Sequence, residues 1–166
     1  RLLPISKLNY QYTFSSGRTL QFTRTPYSHS GGSIVTFDPQ SGILFTSDLF
    51  GSLGLEWELF LNLKPDCMDC ASLDKCPMGR DICPIQDILN FHKTVMPSEK
   101  ALRYSLERIL DIPFTMIAPQ HGSIINDKET LRYVFESLAT LKGVGIDGII
   151  EDDYRFNFDK IEQRFK

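Results

Sequence analysis

The first fifty residues carry the strongest constraint on the fold: a succession of short β-rich runs, each closed by a loop with turn chemistry. Asn9–Phe14 alternates, Ser15-Ser16-Gly17 turns the chain, and Thr19–Thr23 is again β-rich. Ser33–Phe37 and Ile43–Thr46 are short apolar runs joined by Asp38-Pro39-Gln40-Ser41-Gly42. In that loop Pro sets the backbone of the second position and Gly closes the turn, so the pair reads as a hairpin. Antiparallel strands in this number need a cover for one face, and the remainder of the chain supplies it.

That remainder is mostly helical in period. Pro84–Val95 places Ile85, Ile88, Leu89 and His92 at helical spacing. Pro97-Ser98-Glu99 opens a second helix with Ala101, Leu102, Leu106, Ile109 and Leu110 on one stripe. Phe114–Ala118 reads as a buried-type strand closed by Pro119, and Asp127–Leu141 as a third helix, capped by Asn126 or Asp127 and stopped at Gly143. Strands followed by helices alternating with a strand predict an α/β layered sandwich, a mixed sheet covered by helices. Its length, 166 residues at 42% hydrophobic and 23% charged, suits one domain with a real core. Eighteen basic against twenty-one acidic residues, a net charge of -3, exclude a broad nucleic-acid-binding face. No apolar run reaches the ~18 residues of a membrane span, and no secretory signal is visible, so a cytoplasmic setting is expected.

Three residues share one context. His29 precedes the Ser33 strand across Gly31 and Gly32, Asp48 follows the Ile43–Thr46 strand, and His121 follows the Phe114–Ala118 strand. Loops beyond strand ends gather at one edge of a sheet, and imidazole with carboxylate is the ligand chemistry of iron, zinc and manganese. Each residue alone is equally a hydrogen-bonding or exposed loop residue. His92 reads as a packed histidine with one satisfied nitrogen.

Taken together, Thr25-Pro26-Tyr27-Ser28-His29-Ser30-Gly31-Gly32-Ser33, Gly42-Ile43-Leu44-Phe45-Thr46-Ser47-Asp48-Leu49-Phe50-Gly51 and Ala118-Pro119-Gln120-His121-Gly122-Ser123-Ile124-Ile125 resemble the metallo-β-lactamase fold of flavodiiron and oxygen-binding di-iron proteins. Met96-Pro97-Ser98 fits as well. The resemblance implies that His29 binds one of two irons (with zinc or manganese as other occupants), that Asp48 bridges both, and that His121 binds the other. It also implies further ligands from an upstream half of the fold, and no such cluster precedes Tyr27; the chain's histidines are His29, His92 and His121 alone. Since the chain starts at Arg1 rather than Met, the upstream half is expected on the same or another polypeptide. On this reading residues 1–150 form the domain and 151–166 a linker or tail.

The four cysteines fall within 17 residues, as Cys67-x2-Cys70-x5-Cys76-x6-Cys83, inside a polar stretch, 66–84, that resembles an insertion. Such spacing suits zinc or an iron–sulfur cluster, which would supply ordering energy that the segment's few apolar residues cannot. Two disulfides or unpaired thiols are the alternatives.

Three functions compete. A di-iron domain would bind or reduce O2; a hydrolase on the same fold would attack an ester or phosphodiester with metal-bound hydroxide; a sensor would pass O2 binding to a redox or signalling domain through the tail. The segments around Asp48 and His121 resemble the di-iron branch more than the hydrolase branch, and no flavodoxin-like phosphate loop is present.

Overall fold

The computed structural model describes residues 3–54, 58–70, 76, 83–150 and 154–165. Strands β1 (Gln11–Thr13), β2 (Thr19–Arg24), β3 (Ile34–Asp38) and β4 (Ile43–Phe45) run antiparallel in chain order. Strand β5 (Met116–Ala118) joins the far side of β4 in parallel, which gives a mixed five-stranded sheet. The first strand is shorter than its alternation predicts. Asn9 and Tyr10 take left-handed φ of 50° and 57°, and a left-handed residue cannot extend a strand.

The β3–β4 hairpin is held at Asp38, whose carboxylate accepts from Arg18, from the Ser41 hydroxyl and from the Gln40 N–H. The adjacent Arg18 guanidinium, helped by Ser41, holds the Asp38 carboxyl down at about 2.

A short helix α1 (Pro65–Met68) precedes the three that build the core. Helix α2 (Pro84–Val95) starts on Pro84, whose missing N–H is no loss in the first turn. The Ser98 hydroxyl caps α3 (Glu99–Leu110) by accepting from the Ala101 N–H, and the Asp127 carboxylate caps α4 (Lys128–Thr140) by accepting from the Thr130 N–H. Ile88, Leu106 and Val134 from these helices join Phe37, Leu44 and Ile117 from the sheet in one core. The mixed sheet with a helical layer expected from the sequence is thus what forms.

Alternation sends the other half of each strand to the opposite face. Leu20, Phe22, Ile34, Ile43, Phe45 and Met116 lie there, all retaining solvent-exposed surface, Phe45 at 45%. Residues 151–153 lie outside the described set; a last helix, α5 (Asp159–Phe165), follows at the end of the chain, and Phe158 just before it and Ile161 on it are exposed. Among the described residues no helix is long and apolar enough to cross a membrane.

Candidate metal centre

Asp48 sits just past β4 in a loop tied at both ends. Thr46 donates its N–H to the Ala118 carbonyl (3.2 Å) and its hydroxyl to the Leu49 carbonyl (2.6 Å), and the Gly51 N–H closes onto the Asp48 carbonyl at 2.9 Å. Ser47 and Phe50, on either side of Asp48, have φ of 53° and 70°; Tyr27 and His29, in the β2–β3 loop, have 63° and 71°. Four of the six described non-glycine residues with positive φ therefore lie in two loops that meet at one point. Each such conformation costs roughly 1–3 kcal/mol and persists only where surrounding bonds impose it, a mark of functional loops. In the His29 loop that role falls to Ser28, buried and donating its hydroxyl to Ser105 of α3 at 2.6 Å.

The three loops converge. His29 Nε2 lies 2.6 Å from Asp48 Oδ2, and His121 Nε2 lies 3.0 Å from Asp48 Oδ1. Asp48 is the least exposed of the three, at 15%, against 31% for His121 and 50% for His29. Close packing enforces the approach at Gly51, where a Cβ would stand 2.9 Å from the Asp48 carbonyl oxygen, 3.0 Å from that of His121 and 3.2 Å from the His121 ring. All three residues singled out from the sequence thus meet at the carboxylate of Asp48.

The hydrogen bonds define what the pair of histidines needs. His121 Nδ1 is 2.9 Å from the Ser52 carbonyl, which can only accept, so Nδ1 carries the proton. In the neutral ring the Nε2 lone pair then faces an ionised carboxylate oxygen. That contact is favourable only with a proton shared between the two atoms or with a cation taken up by both. Metal-ligating histidines characteristically donate their other ring N–H to a backbone carbonyl in this way. The donors fit a metal centre in kind and direction, yet they supply only part of a ligand set, and they now touch one another directly. Among the described residues no group of three or more His, Cys, Asp or Glu is arranged to hold a metal ion.

An open hollow of about 520 Å³ runs from His29 and Asp48 along the second sheet face, over Ile34, Thr36, Phe45 and Ala118. The site therefore opens toward the partly exposed apolar face rather than toward the helices.

The cysteines fare differently. Cys67 lies in α1 and Cys83 at the N-cap of α2, and with Cys70 and Cys76 all four are partly buried. Residues 71–75 and 77–82 of the expected insertion lie outside the described set. The thiols of Cys67, Cys70 and Cys83 act electrostatically on Tyr133 of α4, whose hydroxyl is pushed up mainly by burial. Among the described residues no group that includes them is arranged to hold a metal ion, and the shared metal expected from the cysteines rests on their spacing alone.

Sequence reasoning undervalued His92. It is fully buried and both its nitrogens are engaged, Nδ1 with the Ile88 carbonyl at 2.7 Å and Nε2 with the Phe50 N–H at 3.0 Å. The i, i+4 spacing to Ile88 was visible in the sequence; the contact across 42 residues to Phe50 was not. Burial pushes this imidazole down to about 4, against weaker opposing pulls from the Ile88 carbonyl and Asp48. Because the folded value lies below the unfolded 6.5, the unfolded chain binds the extra proton first, and stability falls as pH drops from 6.5 toward 4. The loss amounts to roughly 3 kcal/mol. Roughly 2 kcal/mol of this falls between pH 7 and pH 5, so urea midpoints at those two values are expected to differ accordingly, and His92→Gln to flatten the difference.

A family model described as ODP family beta lactamase matches residues 1–122. Among solved structures, the chemotaxis sensor ODP is similar in its peroxy di-iron species (24% identity, TM-score 0.66, 84% of this chain and 52% of that one). Its apo state from T. denticola aligns at 24% identity and TM-score 0.64, over 84% and 50% of the two chains. A mutant flavo di-iron protein from Thermotoga maritima aligns at 18% and 0.59, over 78% and 28%. Rubredoxin oxygen:oxidoreductase from Desulfovibrio gigas aligns at 20% and 0.56, over 77% and 29%. No curated protein matches the chain. The chain spans about half the length of the sensor structures it resembles. These likenesses carry the metallo-β-lactamase fold, and the match over residues 1–122 of 166 places the chain in the ODP beta-lactamase family.

Proposed function

We propose that this chain is the later half of a di-iron domain that binds O2, with His29 as ligand to one iron, His121 to the other and Asp48 bridging them. The observation that carries the reading is the Nε2 atom of His121, held by the Ser52 carbonyl in the tautomer whose lone pair faces Asp48, with His29 on the second carboxylate oxygen. One carboxylate oxygen for each histidine is the arrangement a bridge between two metals uses. Iron, when bound, supplies redox capacity and open coordination positions. The residues of this chain fix the separation of the two positions and keep the imidazoles aimed. The likeness to a chemotaxis sensor favours sensing over turnover.

The proposal includes an upstream half of the domain, on the same or another polypeptide, that brings the missing ligands. The apolar second sheet face supports it, because the hollow beside Asp48 opens onto that face. Residues 1–150 form this chain's part of the domain, with 66–84 inserted. The tail 151–166 leads to a redox or signalling partner, a role that the exposed Phe158 and Ile161 suit. Zinc or an iron–sulfur cluster at Cys67, Cys70, Cys76 and Cys83 rests on their spacing alone. A cytoplasmic setting belongs to the same proposal, since a reducing compartment keeps such thiols available.

The test sets redox behaviour against hydrolysis. The complete protein, loaded with iron and reduced, is expected to change its visible absorption on exposure to O2 and to leave phosphodiester and thioester substrates intact. Rapid metal-dependent hydrolysis with no response to O2 would overturn the reading in favour of a hydrolase.

A further inference from the structure

Helix α2 lies behind the candidate centre, and two of its adjacent residues reach it. The Phe91 ring meets the His121 imidazole edge-on, with centroids 5.0 Å apart and planes at 85°. His92 accepts the Phe50 N–H, and Phe50 is the left-handed residue two positions after Asp48. Around that point the backbone is cross-braced. The Gly51 N–H returns to the Asp48 carbonyl, the Ser52 N–H reaches the His121 carbonyl at 3.3 Å, and the Ser52 carbonyl holds His121 Nδ1. Phe50 is therefore held in this brace by a hydrogen bond to a side chain from outside both loops.

We infer that His92 is a positioning residue: by clamping the Phe50 N–H it holds Asp48 and His121 in register with each other. A neutral imidazole suits the task because its two nitrogens take opposite roles. Nδ1–H donates to the Ile88 carbonyl one helical turn back, which fixes the tautomer and leaves the Nε2 lone pair for Phe50. An apolar residue of like size would fill the space and leave a buried N–H without an acceptor on a residue already in a disfavoured conformation. The inference rests on reading Asp48 and His121 as the working pair. It concerns protein geometry alone, so it stands or falls separately from iron.

The experiment compares wild type, His92→Phe and His92→Gln by NMR in the metal-free complete protein, following amide exchange and the His121 imidazole nitrogen signals. In His92→Phe the Phe50 amide is expected to exchange about 5- to 150-fold faster, the range set by losing one buried hydrogen bond. The His121 signals should shift while the Leu44 and Leu106 amides keep their protection. His92→Gln, whose side-chain oxygen can still accept, should restore both site readouts. Unshifted His121 signals in a folded His92→Phe protein would overturn the inference. So would equal loss of protection at Leu44 and Leu106 in both variants, which marks mere core filling. Should His92→Phe fail to fold, His92→Gln decides alone: native Phe50 protection with displaced His121 signals would also overturn it.

Discussion

Iron added to residues 1–166 alone is expected to bind weakly, and the same titration with the upstream half supplied is expected to reach two irons per domain. The reason is ligand number. His29, Asp48 and His121 present two imidazole nitrogens and two carboxylate oxygens, at present in direct contact with each other at 2.6 and 3.0 Å. A metal must separate these atoms before it can use them, with no other side chain in the described set placed to help. Missing ligands worth only ~4 kcal/mol already weaken binding about a thousandfold. Titration of both forms under anaerobic conditions, read by metal analysis after gel filtration, checks the expectation. Tight binding of two irons by residues 1–166 alone would show that the remaining ligands lie within this chain.

The second large effect is expected from Asp48→Asn in the complete protein: loss of the two-iron state together with the response to O2, while the fold is kept. The carboxylate now offers Oδ2 to His29 and Oδ1 to His121. An amide keeps one oxygen, loses the negative charge and turns an NH2 toward one of the two nitrogens. The fold does not depend on that carboxylate, because the loop is tied by Thr46, by the Gly51 N–H and by Phe50 on His92. Asp48 is partly exposed, so the change in unfolding free energy should stay within about 1 kcal/mol. Iron content and urea midpoints measured on the same preparations separate the two effects. A variant that keeps both irons would remove Asp48 from the bridging position.

Much of the architecture was legible along the chain because its signals are local. The Asp38–Gly42 turn, the Ser98 and Asp127 caps, Pro84 in the first turn of α2 and the apolar spacing of Ile85, Ile88 and Leu89 each depend on residues within a few positions of one another. So does the placement of His29, Asp48 and His121 just beyond strands, which sufficed to nominate them. Where local rules failed, they failed through backbone conformation: the left-handed Asn9 and Tyr10 shorten β1 against its alternation.

What the tertiary structure alone decided is how the nominated residues meet and what holds them. That Ser52 fixes the tautomer of His121 depends on two segments 69 residues apart. The role of His92 depends on Phe50, 42 residues away, and on burial complete enough to keep the ring neutral. The cysteines show how far spacing alone reaches: within 17 residues it predicted one shared metal, and the fold carries Cys67 into α1, sets Cys83 at the N-cap of α2 and brings Cys67, Cys70 and Cys83 within electrostatic range of Tyr133. Spacing governs which side chains can be near one another. Whether their donor atoms converge is settled by the packing of distant elements, which no short stretch of sequence encodes.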